Sequence, residues 1–260
     1  MKFQRRTRKL FYENPTAFSC TTELVKCTEG WLEFTDTVFY PEGGGQDADM
    51  GWLEKGALRI RLTGAKKMYS HSPALVDFPD IQVDGIVLHQ VHADDVGLLA
   101  HLRAADPITL RIDVPRRYAL SLSHSASHLL YIATGEVRPD VIPATLGCHI
   151  QPDRARFDFQ TPSRFSPQEL AQIQARATDL SLRGLDIAIR VHPEVPDARL
   201  WCCAGHTIPC GGTHIANTAP IGPLHVRRKS LGANKERLVC EFPHAQPFDV
   251  HSDALSITAR

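Results

Sequence analysis

Two histidines stand four positions apart at His124 and His128, and far downstream a cysteine and a histidine repeat that step at Cys210 and His214. On a helix an i, i+4 spacing places both imidazoles on one face, close enough to share a single ion. Cys210 follows Pro209 and precedes Gly211 and Gly212, so it lies in a loop whose glycines let the backbone turn tightly. If the fold brings the two stretches together, they make a His-His-Cys-His tetrahedron. Zinc is the ion best suited to mixed imidazole and thiolate donors. A closed set of four protein ligands normally braces a fold, whereas a catalytic ion keeps a position open for water or substrate. Ser125, Ala126 and Ser127 lie between the helical histidines, so the glutamate base of a metallopeptidase helix is missing.

With 260 residues and a hydrophobic fraction of 43%, the chain is long enough for one large domain or two ordinary ones, and two are expected. Basic and acidic residues balance at 29 each, so no global positive field announces a nucleic-acid partner. Seven cysteines without regular spacing argue against a secreted disulfide framework. The basic start is followed by Phe11-Tyr12-Glu13-Asn14-Pro15, with no apolar signal core and no bilayer-length apolar run anywhere. These features predict a soluble, cytoplasmic protein.

From about 21 to 62 the sequence reads as short strands at 22–27, 32–40, 51–53 and 57–62, with a further strand-like piece at 81–92. Short strands without helical periodicity predict a small β-barrel or sandwich over 1–110. A second domain, 111–260, opens with a helix capped by Asp113, with Pro115 in its first turn, an apolar stripe through Leu122, Ala126, Leu129 and Ala133, and Gly135 as its stop. Strand pieces at 146–150 and 154–159 follow. Ser166-Pro167-Gln168-Glu169 then reads as a capping box, opening a helix that ends at Gly184. Alternation at 185–191, 224–226 and 237–242 marks further strands. The fold class is α+β: a small N-terminal β-barrel followed by an α+β domain with a mainly antiparallel sheet. The tail after Pro243 carries no expectation.

Taken in order, Gly43-Gly44-Gly45-Gln46, His124-x-x-x-His128 and Pro209-Cys210-Gly211-Gly212-Thr213-His214 resemble the editing domain of alanyl-tRNA synthetase and the freestanding alanyl-tRNA editing proteins. The resemblance covers roughly 21–242. It implies a zinc-dependent aminoacyl-tRNA deacylase, acting in trans, that removes serine or glycine from tRNA for alanine. The zinc ligands fall on His124, His128, Cys210 and His214. Gln46 and Thr145 are carried over as catalytic-pocket residues, Gln46 to bond the aminoacyl end and Thr145 to recognise a serine hydroxyl. Gly43, Gly44 and Gly45 are expected to let substrate approach the backbone closely. Alone, the glycine run reads as a hairpin turn.

Asp47 stands where the family often has proline, and Ser125 where threonine is common. The chain shows no phosphate-binding glycine-lysine loop and has no room for an aminoacylation body, so ATP is not an expected partner. Arg116, Arg117, Arg227, Arg228, Lys229 and Lys235 are candidates for tRNA phosphates, against the plain alternative of a solvated surface. Two other functions stay open: editing of another aminoacyl-tRNA, as in the threonyl-tRNA synthetase editing domain, which shares the ligand pairs, and a non-catalytic zinc-stabilised RNA-binding module.

Overall fold

A computed structural model describes residues 5–78 and 81–249; Met1-Lys2-Phe3-Gln4 and the tail from 250 onward lie outside the described residues. Period-two alternation in the first part closes a six-stranded antiparallel barrel. Around it run Ser19–Thr28, Trp31–Phe34, Ile86–Val91, Leu58–Met68, Gly51–Lys55 and Pro107–Ile112, which pairs back onto Ser19–Thr28. Within Leu58–Met68, Ile60, Leu62 and Ala65 point into a core shared with Leu32, Phe34, Leu53 and Leu110, while Arg59 and Arg61 stay outside.

Two expected strands are shorter than their alternation suggests. The run 32–40 breaks after Phe34; Asp36–Thr37 pairs in parallel with Arg8–Lys9, and Val38, Phe39 and Tyr40 continue as buried chain outside any ladder. The piece at 81–92 becomes the strand Ile86–Val91, because Asp84 and Gly85 take positive φ angles of 59° and 75° that extended backbone does not accommodate.

A histidine is fully buried in the barrel. His89 lies edge-on to Phe34 and Phe39, with Nδ1 3.3 Å from the Leu32 carbonyl and Nε2 2.7 Å from Thr37 Oγ1. A carbonyl only accepts, so Nδ1 carries the proton and Nε2 accepts from the threonine hydroxyl. Burial holds this neutral imidazole down from 6.5 to about 4.

The second half packs two helices on antiparallel strands. The helix Val114–Val137 starts where Asp113 accepts a hydrogen bond from the Arg116 N–H. It runs past Gly135, its expected stop, and ends before Pro139, which disfavours helical backbone at the residue preceding it. Gly135 instead allows close packing: a Cβ there would lie 3.2 Å from Ile142 Cγ1. The helix Pro167–Leu182 carries the full Ser166/Glu169 capping box. Four strands follow the order His225–Ser230, Lys235–Glu241, Arg154–Gln160, Thr145–Gln151, and their apolar face meets Leu129, Ala133, Ile173 and Ala177 in one core. A second sheet of Ala188–Val191, Arg199–Cys203 and His206–Pro209 includes a hairpin that alternation did not reveal. Its turn, Ala204-Gly205, takes positive φ at both residues, as type I′ hairpins do.

The barrel and the helix-bearing half are joined through buried polar contacts. The glycine turn docks on the edge of the four-stranded sheet: the Ile150 N–H donates to the Gly45 carbonyl at 2.7 Å and the Asp47 N–H to the Ile150 carbonyl at 3.1 Å. Proline at 47 could not make the second bond. Arg117, on the long helix, is 1% exposed and binds both carboxylate oxygens of Asp49 and the Val38 carbonyl. Among the described residues no helix is long and apolar enough to cross a membrane.

Two stability predictions follow from these buried groups. His89 has a folded pKa below its unfolded value, so the stability it confers is complete above about pH 6.5 and lost as pH falls through about 4, the unfolded chain taking the proton first. In melts between pH 7 and 4, His89→Gln should flatten this loss; an acid profile identical to wild type would contradict it. Arg117→Ala leaves Asp49 buried without its cation and should cost about 3–5 kcal/mol in urea unfolding. A cost under about 1 kcal/mol would show that the pair does not hold the junction.

Candidate metal centre

The long helix and the loop after Pro209 converge as the two pairs require. His124, His128, Cys210 and His214 each present a ligand atom, and these atoms all lie within 4.8 Å of one another. His124 Nε2 is 3.3 Å from Cys210 Sγ, His214 Nε2 is 3.5 Å from the same sulfur, and the Nε2 atoms of His128 and His214 are 3.2 Å apart. Tetrahedral bonds of the usual metal–nitrogen and metal–sulfur lengths would separate such donors by about 3.3 Å for nitrogen pairs and about 3.6 Å for nitrogen and sulfur. The cluster therefore fits a metal ion.

Protonation also fits. Burial pushes His124 down to about 3 and His128 and His214 well below 6.5, so all three rings are neutral, the form that ligates. Burial alone pushes the Cys210 thiol up to about 12; a bound cation would reverse that by favouring thiolate. The Gly212 N–H points at this sulfur from 3.4 Å.

Around the ligands lies a layer that fixes their orientation. Gln46 is fully buried. Its Oε1 accepts from His124 Nδ1–H at 2.7 Å and from the Thr213 N–H at 3.0 Å, and its Nε2 donates to Thr213 Oγ1 at 3.0 Å. The barrel's glycine turn thus sets the His124 tautomer that turns Nε2 toward the sulfur. Ser125 supplies a hydroxyl that accepts the Ile215 N–H at 3.2 Å, holding the ligand loop to the helix. His214 Nδ1 is buried with no protein partner among the described residues. Neither Gly211 nor Gly212 has a positive φ, so turn conformation is not what they supply. A Cβ on Gly212 would sit 2.1 Å from His124 Cε1; the loop reaches the helix because that atom is absent.

His124, His128 and Cys210 form one wall of a cavity of about 600 Å³ that Gly43, Gly44 and Thr145 also line. Thr145 Oγ1 donates to the Ile142 carbonyl at 2.7 Å and lies 3.4 Å from the Tyr131 hydroxyl, which leaves it one lone pair to accept a further bond. Gly45, at φ 81°, faces Cys148, whose sulfur would lie 2.4 Å from an added Cβ. Gln46 is buried outside the cavity lining, with its amide bonded to His124 and Thr213. Arg117 is spent on Asp49 and does not line the cavity. Arg116 donates to the Ala48 carbonyl, and Arg227 and Arg228 pair with Glu241 and Glu236. Sequence reading missed Tyr12, whose hydroxyl donates to the Gly211 carbonyl at 2.9 Å, Ser121 beside Thr213, and Trp201, whose ring lies 4.6 Å from that of His128. A lone tyrosine, serine or tryptophan outside the motifs gives no sequence signal.

Fold and centre together define a barrel-plus-α+β protein with a three-histidine, one-cysteine cluster at its internal junction. The chain is homologous to a segment of alanine–tRNA ligases. It is 27% identical to the enzyme of Methanocorpusculum labreanum over 239 residues, 85% of this chain and 24% of that one. With the ligase of Acidothermus cellulolyticus it shares 30% over 222 residues, 78% of this chain and 23% of the relative, and with that of Thermotoga petrophila 28% over 206 residues, 73% and 22%. It thus spans about a quarter of the length of these relatives. No family model matches.

If the cluster holds a metal, titrating Zn²⁺ into chelator-treated protein should change the fluorescence of Trp201, and Trp201→Phe should abolish the change although Trp31 and Trp52 remain. Saturation at about 100 times Kd should add about 2.7 kcal/mol to stability. Gly212→Ala should weaken this binding at least tenfold, as displacing a ligand-orienting contact does. Wild-type affinity in that variant would contradict the close-approach reading.

Proposed function

We propose that the chain is a zinc-dependent aminoacyl-tRNA deacylase that clears serine or glycine from tRNA for alanine in the cytoplasm. The carrying observation is that three motifs far apart in sequence bear on one cavity: the glycine turn and Thr145 line it beside the cluster, and Gln46 is bonded to His124. Homology to a segment of alanine–tRNA ligases supports the same reading. His124, His128, Cys210 and His214 would hold the zinc, which when bound supplies Lewis acidity and a fixed point for the reacting end of the substrate.

The protein groups have separate tasks. Gly43 and Gly44 present bare backbone, so the aminoacyl end can lie against the turn. Thr145 accepts a hydrogen bond from a serine side chain, a contact that an alanyl ester cannot make; sites built around a substrate hydroxyl discriminate far better than apolar pockets. The carboxylates lining the cavity are Glu42, exposed at the rim, and Asp197, which is bound to Lys9. Among the described residues no carboxylate is bonded to a ligand of the cluster, and the terminal ribose hydroxyl of the substrate is the group left to assist proton transfer. No step uses ATP.

The closed ligand set favours a second reading, a zinc-stabilised RNA-binding module without catalysis. His124→Ala separates the two: a folded but inactive protein points to catalysis, and loss of folding alone points to structure. Incubated with labelled esters, the wild type should release serine or glycine from tRNA for alanine and spare alanine; equal inertness toward both would contradict deacylation. Thr145→Val should lower kcat/KM for the seryl ester about tenfold relative to the glycyl ester. An unchanged ratio would remove Thr145 from specificity.

A further inference from the structure

Beside the cluster the same cavity is lined by two cations, Lys67 and Arg199. With Lys9, which lies outside the lining, they gather around Asp197; the cavity's other carboxylate, Glu42, is exposed at the rim. Lys9 holds Asp197 in an ion pair, and the same oxygen accepts the Asp84 N–H at 2.8 Å. Lys67 and Arg199 feel Asp197 only at a distance. The Lys67 ammonium donates to the Gln82 carbonyl at 3.0 Å. Arg199, 7% exposed, donates to the Tyr12 carbonyl at 3.3 Å and lies over the Tyr12 ring at 4.6 Å. Neither has an ion pair among the described residues, and both line the cavity. Burial and the neighbouring Lys9 pull Lys67 down to about 8. Arg199 is buried and Lys67 half-buried; cations so placed without a carboxylate are costly to keep, and an arriving anion relieves that cost.

We propose that Lys67 and Arg199 form an anion subsite for a phosphodiester group at the single-stranded end of an RNA whose terminal sugar reaches the metal cluster. Two cations without an ion pair suit a phosphodiester, and the guanidinium offers donors in a planar fork. The aminoacyl ester carries no anion of its own, so the subsite reads the polynucleotide while the cluster, Thr145 and the glycine turn address the amino acid. The nature of the ester rests on the deacylase reading. The charge placement does not.

The test uses full-length, metal-loaded protein with seryl-tRNA for alanine and with phosphate-free seryl-adenosine. Lys67→Met should raise KM for the tRNA ester about tenfold with kcat within about twofold, and should lower the slope of log KM against log salt by about 0.7, the value for one lost single-strand phosphate contact. Lys67→Arg should restore both, and the KM ratio between the two esters should narrow by the same tenfold in Lys67→Met. An unchanged salt slope, or equal losses on both esters, would overturn the subsite. If the wild type hydrolyses no ester, deacylation fails, and anisotropy of a labelled CCA trinucleotide still decides. Weaker, less salt-dependent binding in Lys67→Met supports the subsite. Competition by inorganic phosphate with no Lys67-dependent trinucleotide binding overturns it.

Discussion

The hydrogen bond from His124 Nδ1 to Gln46 Oε1, 2.7 Å long, joins the two halves of the molecule at the atom where it matters most. Its donor ring is fixed to the long helix and its acceptor to the barrel's glycine turn. An imidazole has one free lone pair when neutral, and the partner of the other nitrogen decides which way it points. Here it points at Cys210. Because Gln46 also holds Thr213, one amide aligns a ligand from the helix and the backbone of the loop that supplies the other two. The orientation of His124 is therefore set across the junction of barrel and helix-bearing half.

Docking rests on polar contacts in places from which water is excluded. The glycine turn adds its backbone to a sheet edge, Arg117 is buried against Asp49, and Lys9 against Asp197. Such pairs contribute little net stability compared with apolar packing, yet they are costly to break one partner at a time, and they admit few alternative registers. The same low dielectric that makes them exacting keeps the three imidazoles neutral and raises the thiol. Ligands kept in that state bind a soft-to-borderline divalent ion well, and the ion in turn would relieve the buried sulfur.

Much of this was legible in the sequence because it obeys local rules. The capping box at Ser166 and Glu169, the Asp113 cap and the alternation at 57–62 each fix an element from neighbours alone, although that strand runs on to Met68 past an irregularity after Leu62. The four candidate ligands and the glycine turn were legible as motifs. What the sequence did not disclose were roles set across the junction. Gln46 and Arg117 have polar side chains of the kind that meet substrate, and nothing local shows that both are fully committed inside. Gly212 reads as a turn residue, yet its need arises from His124, distant in sequence. The hairpin through Arg199–Cys203 was missed because a short strand with an arginine and two cysteines has little alternation, and its signal lies in burial of Trp201.

X-ray absorption at the zinc edge on protein purified without added metal tests the central claim most directly. The proposed zinc site predicts about one zinc per chain in a shell of three nitrogen donors and one sulfur, with the sulfur lost in Cys210→Ser. A shell of oxygen and nitrogen donors without sulfur, or protein that takes up no zinc, would contradict it.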